Sequence, residues 1–180
     1  MSGKKEGWEE RERAGLDVLV LGIGNILLGD EGLGVRAVEE FRRRYAMPQQ
    51  LTVVDGGTMG IELLPYVVGR SHLLLVDALQ GDGQPGQVKR IHIDSPPAFF
   101  RNRSTPHQIG MADVLGLAAM TDELPASVTL YGVTPTTLNT GLELSQQARE
   151  GIDSLLRLLV DDLAGLGLGL EPRRADTDGR

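Results

Sequence analysis

A chain of 180 residues, 41% of them hydrophobic, is long enough for one domain with a real core. Its net charge of −7, from 25 acidic and 18 basic residues, argues against nucleic acid as a partner, because phosphate neutralisation needs a concentrated basic surface. It contains no cysteine. Disulfides, cysteine-ligated zinc and thiol nucleophiles are therefore excluded, and a metal would have to be held by oxygen and nitrogen.

Residues 1–15 are polar and charged and read as a disordered leader with no signal-peptide core. Val18 to Ile23 is a continuous apolar run, as expected of a strand covered on both faces. Asp30 and Glu31 follow it, and then Leu33, Ala37, Val38, Phe41 and Tyr45 recur at helical spacing. Arg42, Arg43 and Arg44 fall on the polar side of that helix. Leu51 to Val54 is a second strand, ended by Asp55, Gly56 and Gly57, with a short helix around Met59–Val67. His72 to Asp77 is a third. The turn-rich segment Gly81–Gly86 leads without a crossover helix to a fourth, Gln87–Ile93, which is therefore expected as an antiparallel edge. Pro96, Pro97 and Pro106 mark a long loop before a helix at His107–Ala119. Ser127–Val133 is the fifth strand. Ile152, Leu155, Leu156, Leu159 and Leu163 mark one face of a closing helix, stopped by Gly165, Gly167 and Gly169. Residues 167–180 read as a disordered tail.

The expected fold is α/β: a three-layer αβα domain over residues 16–166, with a five-stranded, mostly parallel twisted sheet and one antiparallel edge strand. No apolar run reaches membrane-spanning length, since Arg157, Asp161 and Asp162 break the leucine-rich stretch. A cytoplasmic monomer is the expectation.

In such sheets ligands bind beyond the carboxyl ends of the strands. Glu31 with Asp30, Asp55 and Asp77 each close a strand or follow it, and His107, opening a helix, can reach the same rim. Two carboxylates and an imidazole with open positions suit a borderline divalent metal. Each has a plain alternative. Asp30 and Glu31 also suit a helix cap, Asp77 a turn, and His107 a cap or a solvent-facing position. His72 and His92 read as structural. The glycines of Gly22–Gly29 do not have the spacing of a dinucleotide loop, no Walker motif follows, and two acids stand where a phosphate would sit. They are better explained as permitting a tight loop that brings Glu31 to the rim. As rim carboxylates that bury no core, Glu31 and Asp77 are expected to accept their amides with stability changes within about ±0.5 kcal/mol.

The run from Leu21 to Val35, with Gly22, Gly24, Asn25, Gly29, Asp30, Glu31, Gly32 and Gly34, resembles the N-terminal signature of the nickel–iron hydrogenase maturation endopeptidases. Val54 to Thr58, His72 to Ala78, Pro106-His107-Gln108, and Leu130 to Val133 with Pro135 match the same family in order. The resemblance spans roughly Val18 to Leu163. It implies an enzyme that removes a short C-terminal extension from the precursor of the hydrogenase large subunit once nickel is inserted. It also implies that Glu31, Asp77 and His107 are the metal-binding and catalytic positions that read the nickel, and that Asp55 discriminates between substrates. The nickel would come in the substrate and not be held tightly by the enzyme. Two other classes stay open: a non-catalytic nickel-binding chaperone, and a metalloaminopeptidase-like hydrolase with its own tightly held metal.

Residues 1–15 show no apolar periodicity, so little burial is lost without them. A chain beginning at Leu16 is expected to fold and melt as the full chain does. A clearly lowered melting temperature would reveal a docked segment.

Overall fold

The computed structural model describes residues 15–101 and 105–173. All of the leader but Gly15, and residues 174–180 of the tail, lie outside the described residues.

Five strands form one sheet: β1 (Val18–Ile23), β2 (Leu51–Gly57), β3 (His72–Ala78), β4 (Val88–His92) and β5 (Ser127–Val133). Their order is β2-β1-β3-β5-β4. β2, β1, β3 and β5 run parallel, while β4 pairs antiparallel with β5, from Val88↔Val133 to His92↔Thr129. This is the expected α/β sheet with its antiparallel edge. β1 is buried along its whole length because both faces are covered.

The helices divide between the faces. α1 (Leu33–Arg44) follows β1; α2 (Leu64–Val67) follows β2. α3 (Pro96–Arg101) and α4 (Pro106–Met120) follow β4, and α5 (Gln146–Gly165) closes the chain. Strand parity assigns the layers, since alternate residues face opposite sides. Val18, Val20, Leu74, Val76, Tyr131 and Val133 pack with Phe41 of α1 and Leu155, Leu156 and Leu159 of α5. Leu19, Leu21, Leu73, Leu75 and Leu130 pack with Leu63, Val67 of α2, Phe100 of α3, and Met111, Val114 and Leu115 of α4.

Two expectations need correction. The proline-marked stretch after β4 is not all loop: Pro96–Arg101 is helical, because a proline in the first turn of a helix forfeits an N–H that would have no partner there. The tail does not become loose at residue 167. Leu168 N–H bonds Leu163 O and Gly167 N–H bonds Ala164 O, with Gly167 at φ +86°. That pair is a Schellman cap, and it buries Leu168 in the core. Further on, Ala46 N–H bonds Glu171 O and Arg173 N–H bonds Arg44 O, tying residues 171–173 to the end of α1.

α1 sits against β1 with almost nothing between them. A Cβ on Gly22 would lie 2.2 Å from Gly34 O, and one on Gly34 would lie 2.2 Å from both Ile23 O and Val76 O. These atoms are backbone and cannot swing aside. Gly22→Ala is therefore expected to cost about 2 kcal/mol or more by overpacking, whereas Gly116→Ala, with nothing within 4 Å of the new methyl, should be neutral or slightly stabilising by helix propensity. Urea unfolding of the two variants measures the contrast.

Candidate active site

The carboxyl edge of the sheet is built first by the loop between β1 and α1. Gly24, at φ +139°, bonds Gly57 O through its N–H, and a Cβ there would lie 2.0 Å from Glu31 O. A Cβ on Gly32 would meet Ile26 Cα at 2.7 Å. The glycines therefore fold the segment back on itself until the 3-10 turn Gly29–Gly32 seats Glu31 over the end of the sheet.

The two adjacent acids serve different ends. Asp30 is fully buried, and its carboxylate accepts from Thr136 N (2.7 Å), Thr137 N (3.2 Å), Ser145 N (2.7 Å) and Ser145 Oγ (2.8 Å). Ser145 Oγ in turn accepts from Ala148 N and so caps α5. Backbone bonds Gly29 N to Gly141 O, Asp30 N to Thr137 O and Gly141 N to Leu27 O run alongside. Asp30 is thus a clamp joining the Glu31 loop to the loop after β5. Burial opposes its ionised form, but the donors outweigh burial and hold the carboxyl below its ordinary 3.8.

Asp77 continues the parity of Leu73 and Leu75, so it points to the α4 side at the top of β3. There it meets the start of α4. His107 Nε2 lies 3.0 Å from Asp77 Oδ1, and Gln108 Nε2 donates to Asp77 Oδ2 at 2.5 Å. Thr105 Oγ1 is 3.3 Å from His107 Nε2. The other face of the imidazole turns to Glu31, with Nδ1 4.0 Å from Oε1. The result is a line of carboxylate, imidazole and carboxylate. Burial disfavours the imidazolium, yet the hydrogen bond and charge of Asp77, with the charge of Glu31, outweigh it and raise His107 above its ordinary 6.5.

The structure therefore brings Glu31, Asp77 and His107 together, but not as an open rim. Asp77 is fully buried, Glu31 is 7% exposed and His107 3%. The expectation that Asp77 would accept an amide at almost no cost is corrected. Its two oxygens both accept hydrogen bonds in a buried place, and Asp77→Asn would turn an N–H₂ on one of the donors, costing about 1–3 kcal/mol. His107 is neither solvent-facing nor a cap.

Asp55 lies apart. It is exposed on β2, where its Oδ1 accepts from Gly57 N at 2.9 Å. The register Asp55↔Gly22↔Val76 puts it on the same edge, level with the residue before Asp77. Two strand spacings of roughly 4.8 Å separate them, about 10 Å. His72 is half-buried with Nδ1 3.1 Å from Ser71 Oγ, and His92 is exposed beside Asp94; both stand at the opposite end of the sheet. Sequence reasoning missed Gln108, Thr136, Thr137 and Ser145 as parts of this edge. For Ser145 a signal existed, a serine directly before a helical pattern.

The profile of the hydrogenase maturation proteases matches residues 35–162. The chain belongs to the hydrogenase maturation protease family. It is 40% identical over 162 residues to the hydrogenase 2 maturation protease of Escherichia coli K12, covering 89% of this chain and 99% of that one. It is 39% identical over 160 residues to the hydrogenase expression/formation protein HupD of Bradyrhizobium diazoefficiens, covering 88% and 83%. Among solved structures, the E. coli hydrogenase-maturating endopeptidase HybD is similar at a TM-score of 0.83 with 39% identity, over 88% of this chain and 98% of that one. The protein is a protease by family, and the family fold is the sheet described above. Among the described residues no helix is long and apolar enough to cross a membrane.

Asp30→Ala is expected to cost at least about 2 kcal/mol, because it strands several buried donors. Since the folded carboxyl is held below 3.8, its contribution is present above that pH and is lost as pH falls through the folded value. The difference in stability between wild type and Asp30→Ala should therefore shrink on acidification toward pH 3, as chemical unfolding over a pH series will measure.

Proposed function

We propose that this protease removes the C-terminal extension of a nickel–iron hydrogenase large-subunit precursor after nickel insertion. On this reading Glu31, Asp77 and His107 read the nickel that the substrate carries, and Asp55 takes part in choosing the substrate. The observation that carries the reading is the line Glu31–His107–Asp77 at the carboxyl edge of a hydrogenase maturation protease.

The donor chemistry fits nickel, which accepts imidazole and carboxylate. The reading takes the ion as one that arrives with the substrate. The imidazole stands between the carboxylates. The chain has no cysteine to compete for an ion held by substrate thiolates. Nickel engaged by such a sparse site keeps open positions and exchanges. Beside a scissile carbonyl it can act as a Lewis acid, or it can lower the pKa of water for attack with a carboxylate as base.

A polypeptide substrate is supported by the surroundings. Leu27, Met59, Ile61, Ile109 and Leu142 are exposed aliphatic side chains, and each lies on a segment that carries or braces a site residue. Leu27 is bridged to the segment of Leu142 through Gly141 N–H and Leu27 O. The segment of Met59 meets that of Ile109 where Gly60 Cα lies 3.2 Å from a Cβ built on Gly110. Exposed aliphatic side chains on these segments offer an apolar grip to an unfolded chain end.

Glu31→Gln keeps the shape and removes the charge. It is expected to fold normally and to lower processing by at least about 100-fold, the usual scale for losing a carboxylate that acts on protons or a metal. Wild type should shorten nickel-loaded precursor, leave nickel-free precursor intact, and purify largely without metal. Mass spectrometry of the precursor with metal analysis of the enzyme checks all three. An unchanged precursor mass would make the protein a nickel carrier. Cleavage of generic peptides with tightly held metal would make it an ordinary metallopeptidase. Asp55→Asn should change which precursors are accepted, and equal loss on every precursor would place Asp55 in the chemistry instead.

A further inference from the structure

We propose that the outward faces of α4 and α2 form a docking surface for the folded body of the precursor, away from the few residues around the cut. The inference rests on the substrate reading given above and adds to it where the rest of that substrate sits.

α4 departs from the pattern of a surface helix, which is ordinarily apolar toward the core and polar toward water. α1 and α5 keep to it, exposing Glu39 and Arg43 on the one, and Glu150, Arg157 and Asp161 on the other. α4 buries Met111, Val114, Leu115 and Ala118, yet it also turns Ile109, Leu117 and Met120 outward, the last 83% exposed. Asp113, between Ile109 and Leu117 on that outer stripe, is the one acid in the helix. Ile61 and Tyr66 are exposed on the neighbouring segment. The two segments run side by side. Gly60 Cα lies 3.2 Å from a Cβ built on Gly110 at one end, and Gly69 N–H bonds Glu123 O at the other. The face is continuous with the site, because Ile109 follows His107 and Gln108 directly. At 1.5 Å of rise per residue, Met120 lies about 20 Å further along the helix from His107.

Three occupants can be compared. An extended tail brings unpaired backbone N–H and C=O groups wherever it lies. The outer face of a helix has none to offer in return, since its own are paired along the helix, and a strand edge would serve such a tail better. A second copy of this chain would set the face against itself. Residues 59–69 and 105–123 carry Glu62, Asp113, Asp122 and Glu123 and no lysine or arginine, so two copies would bring acids to acids with no cation between them. The body of the precursor meets neither objection. Its backbone is already paired within its own fold, and it must lie beside the site because its chain end enters there. A patch of this size suits a weak contact that forms and breaks with each turnover. The surface it fits is apolar, with lysine or arginine at its rim.

Leu117→Glu and Met120→Glu change exposed side chains outside the Glu31–His107–Asp77 line, so both variants should melt as wild type does. With nickel-loaded precursor each should raise the half-saturating concentration about 10-fold, the scale of losing an interface anchor, and leave the maximal rate unchanged. Met120→Glu, at the more exposed position, carries the test alone if Leu117→Glu fails to fold. A photo-crosslinking amino acid at Met120 of the otherwise unaltered chain should capture the body of the precursor, with the joined residues mapped by mass spectrometry. Crosslinks confined to the C-terminal extension, or to a second copy of the enzyme, overturn the inference. An unchanged half-saturating concentration in a folded variant does the same. Capture does not require cleavage. Capture of the body by a chain that never shortens the precursor leaves the docking surface standing and sinks the cleavage reading. Cleavage without capture does the reverse, and neither capture nor cleavage overturns both.

Discussion

Everything at the carboxyl edge depends on one close approach, the crossing of α1 over the end of β1 with backbone touching backbone. Gly22 and Gly34 have no room for even a methyl group between them, and Gly34 lies against the carbonyls of both Ile23 and Val76. Helix and sheet normally pack through side chains, which leaves slack for a loop to wander. Here the helix start is pinned to two strands at once, and the connecting loop must turn back within a few residues. Gly24, with the carbonyl of Glu31 in the place of its missing Cβ, is the turn that results. The position of the Glu31 side chain follows from glycine sterics before any electrostatics enter.

Electrostatics then decide what each buried acid can be. Removing a carboxylate from water is costly unless donors replace the water. Asp30 is saturated by four donors from the far loop, so it is a fastening. Asp77 is met by His107 and Gln108, so it is held in place. Glu31 faces the imidazole across a gap and is the acid of the three with most still to gain from a cation. One acid ties down the loop that presents the next, and the third meets the ring between them. Saturation ranks them better than sequence proximity to the edge.

Much of this was legible beforehand, and the reason is local. Apolar runs of five or six residues announce covered parallel strands, and the absence of a crossover before β4 announces its direction. Asp77 was legible because it extends an apolar strand on one face by two residues. What escaped was non-local. Asp30 bonds residues 106 to 115 positions away, and no periodicity encodes such a pairing. Gln108 stood in plain view next to His107, but its partner is fixed by where α4 begins relative to β3, which only packing determines. The low cost expected for replacing Asp77 does not hold for the same reason: a strand that ends on an acid suggests an exposed rim, and here the first turn of α4 covers it. Leu168 was missed because a glycine-rich stretch reads as an ending, whereas Gly167 reverses the chain and returns a leucine to the core.

The division between grip and discrimination follows from the same geometry. On the proposed reading the site has no thiolate to hold nickel tightly, and a resident metal would gain nothing from knowing whether a substrate is mature. On that reading the exposed side chains of Leu27, Met59, Ile61, Ile109 and Leu142 supply affinity instead, since burying an aliphatic side chain is worth about 1.5–3 kcal/mol. That affinity is the same for loaded and unloaded precursor and so cannot discriminate between them. On that reading the carboxylates and the imidazole can, because only a loaded precursor brings a cation to Glu31, Asp77 and His107. A specificity ratio is a difference of binding energies, and on that reading the difference is concentrated at Glu31, Asp77 and His107. On the proposed reading, weak ligation is what makes the site a sensor: the ion contributes the sign of one interaction, and the fold contributes the rest.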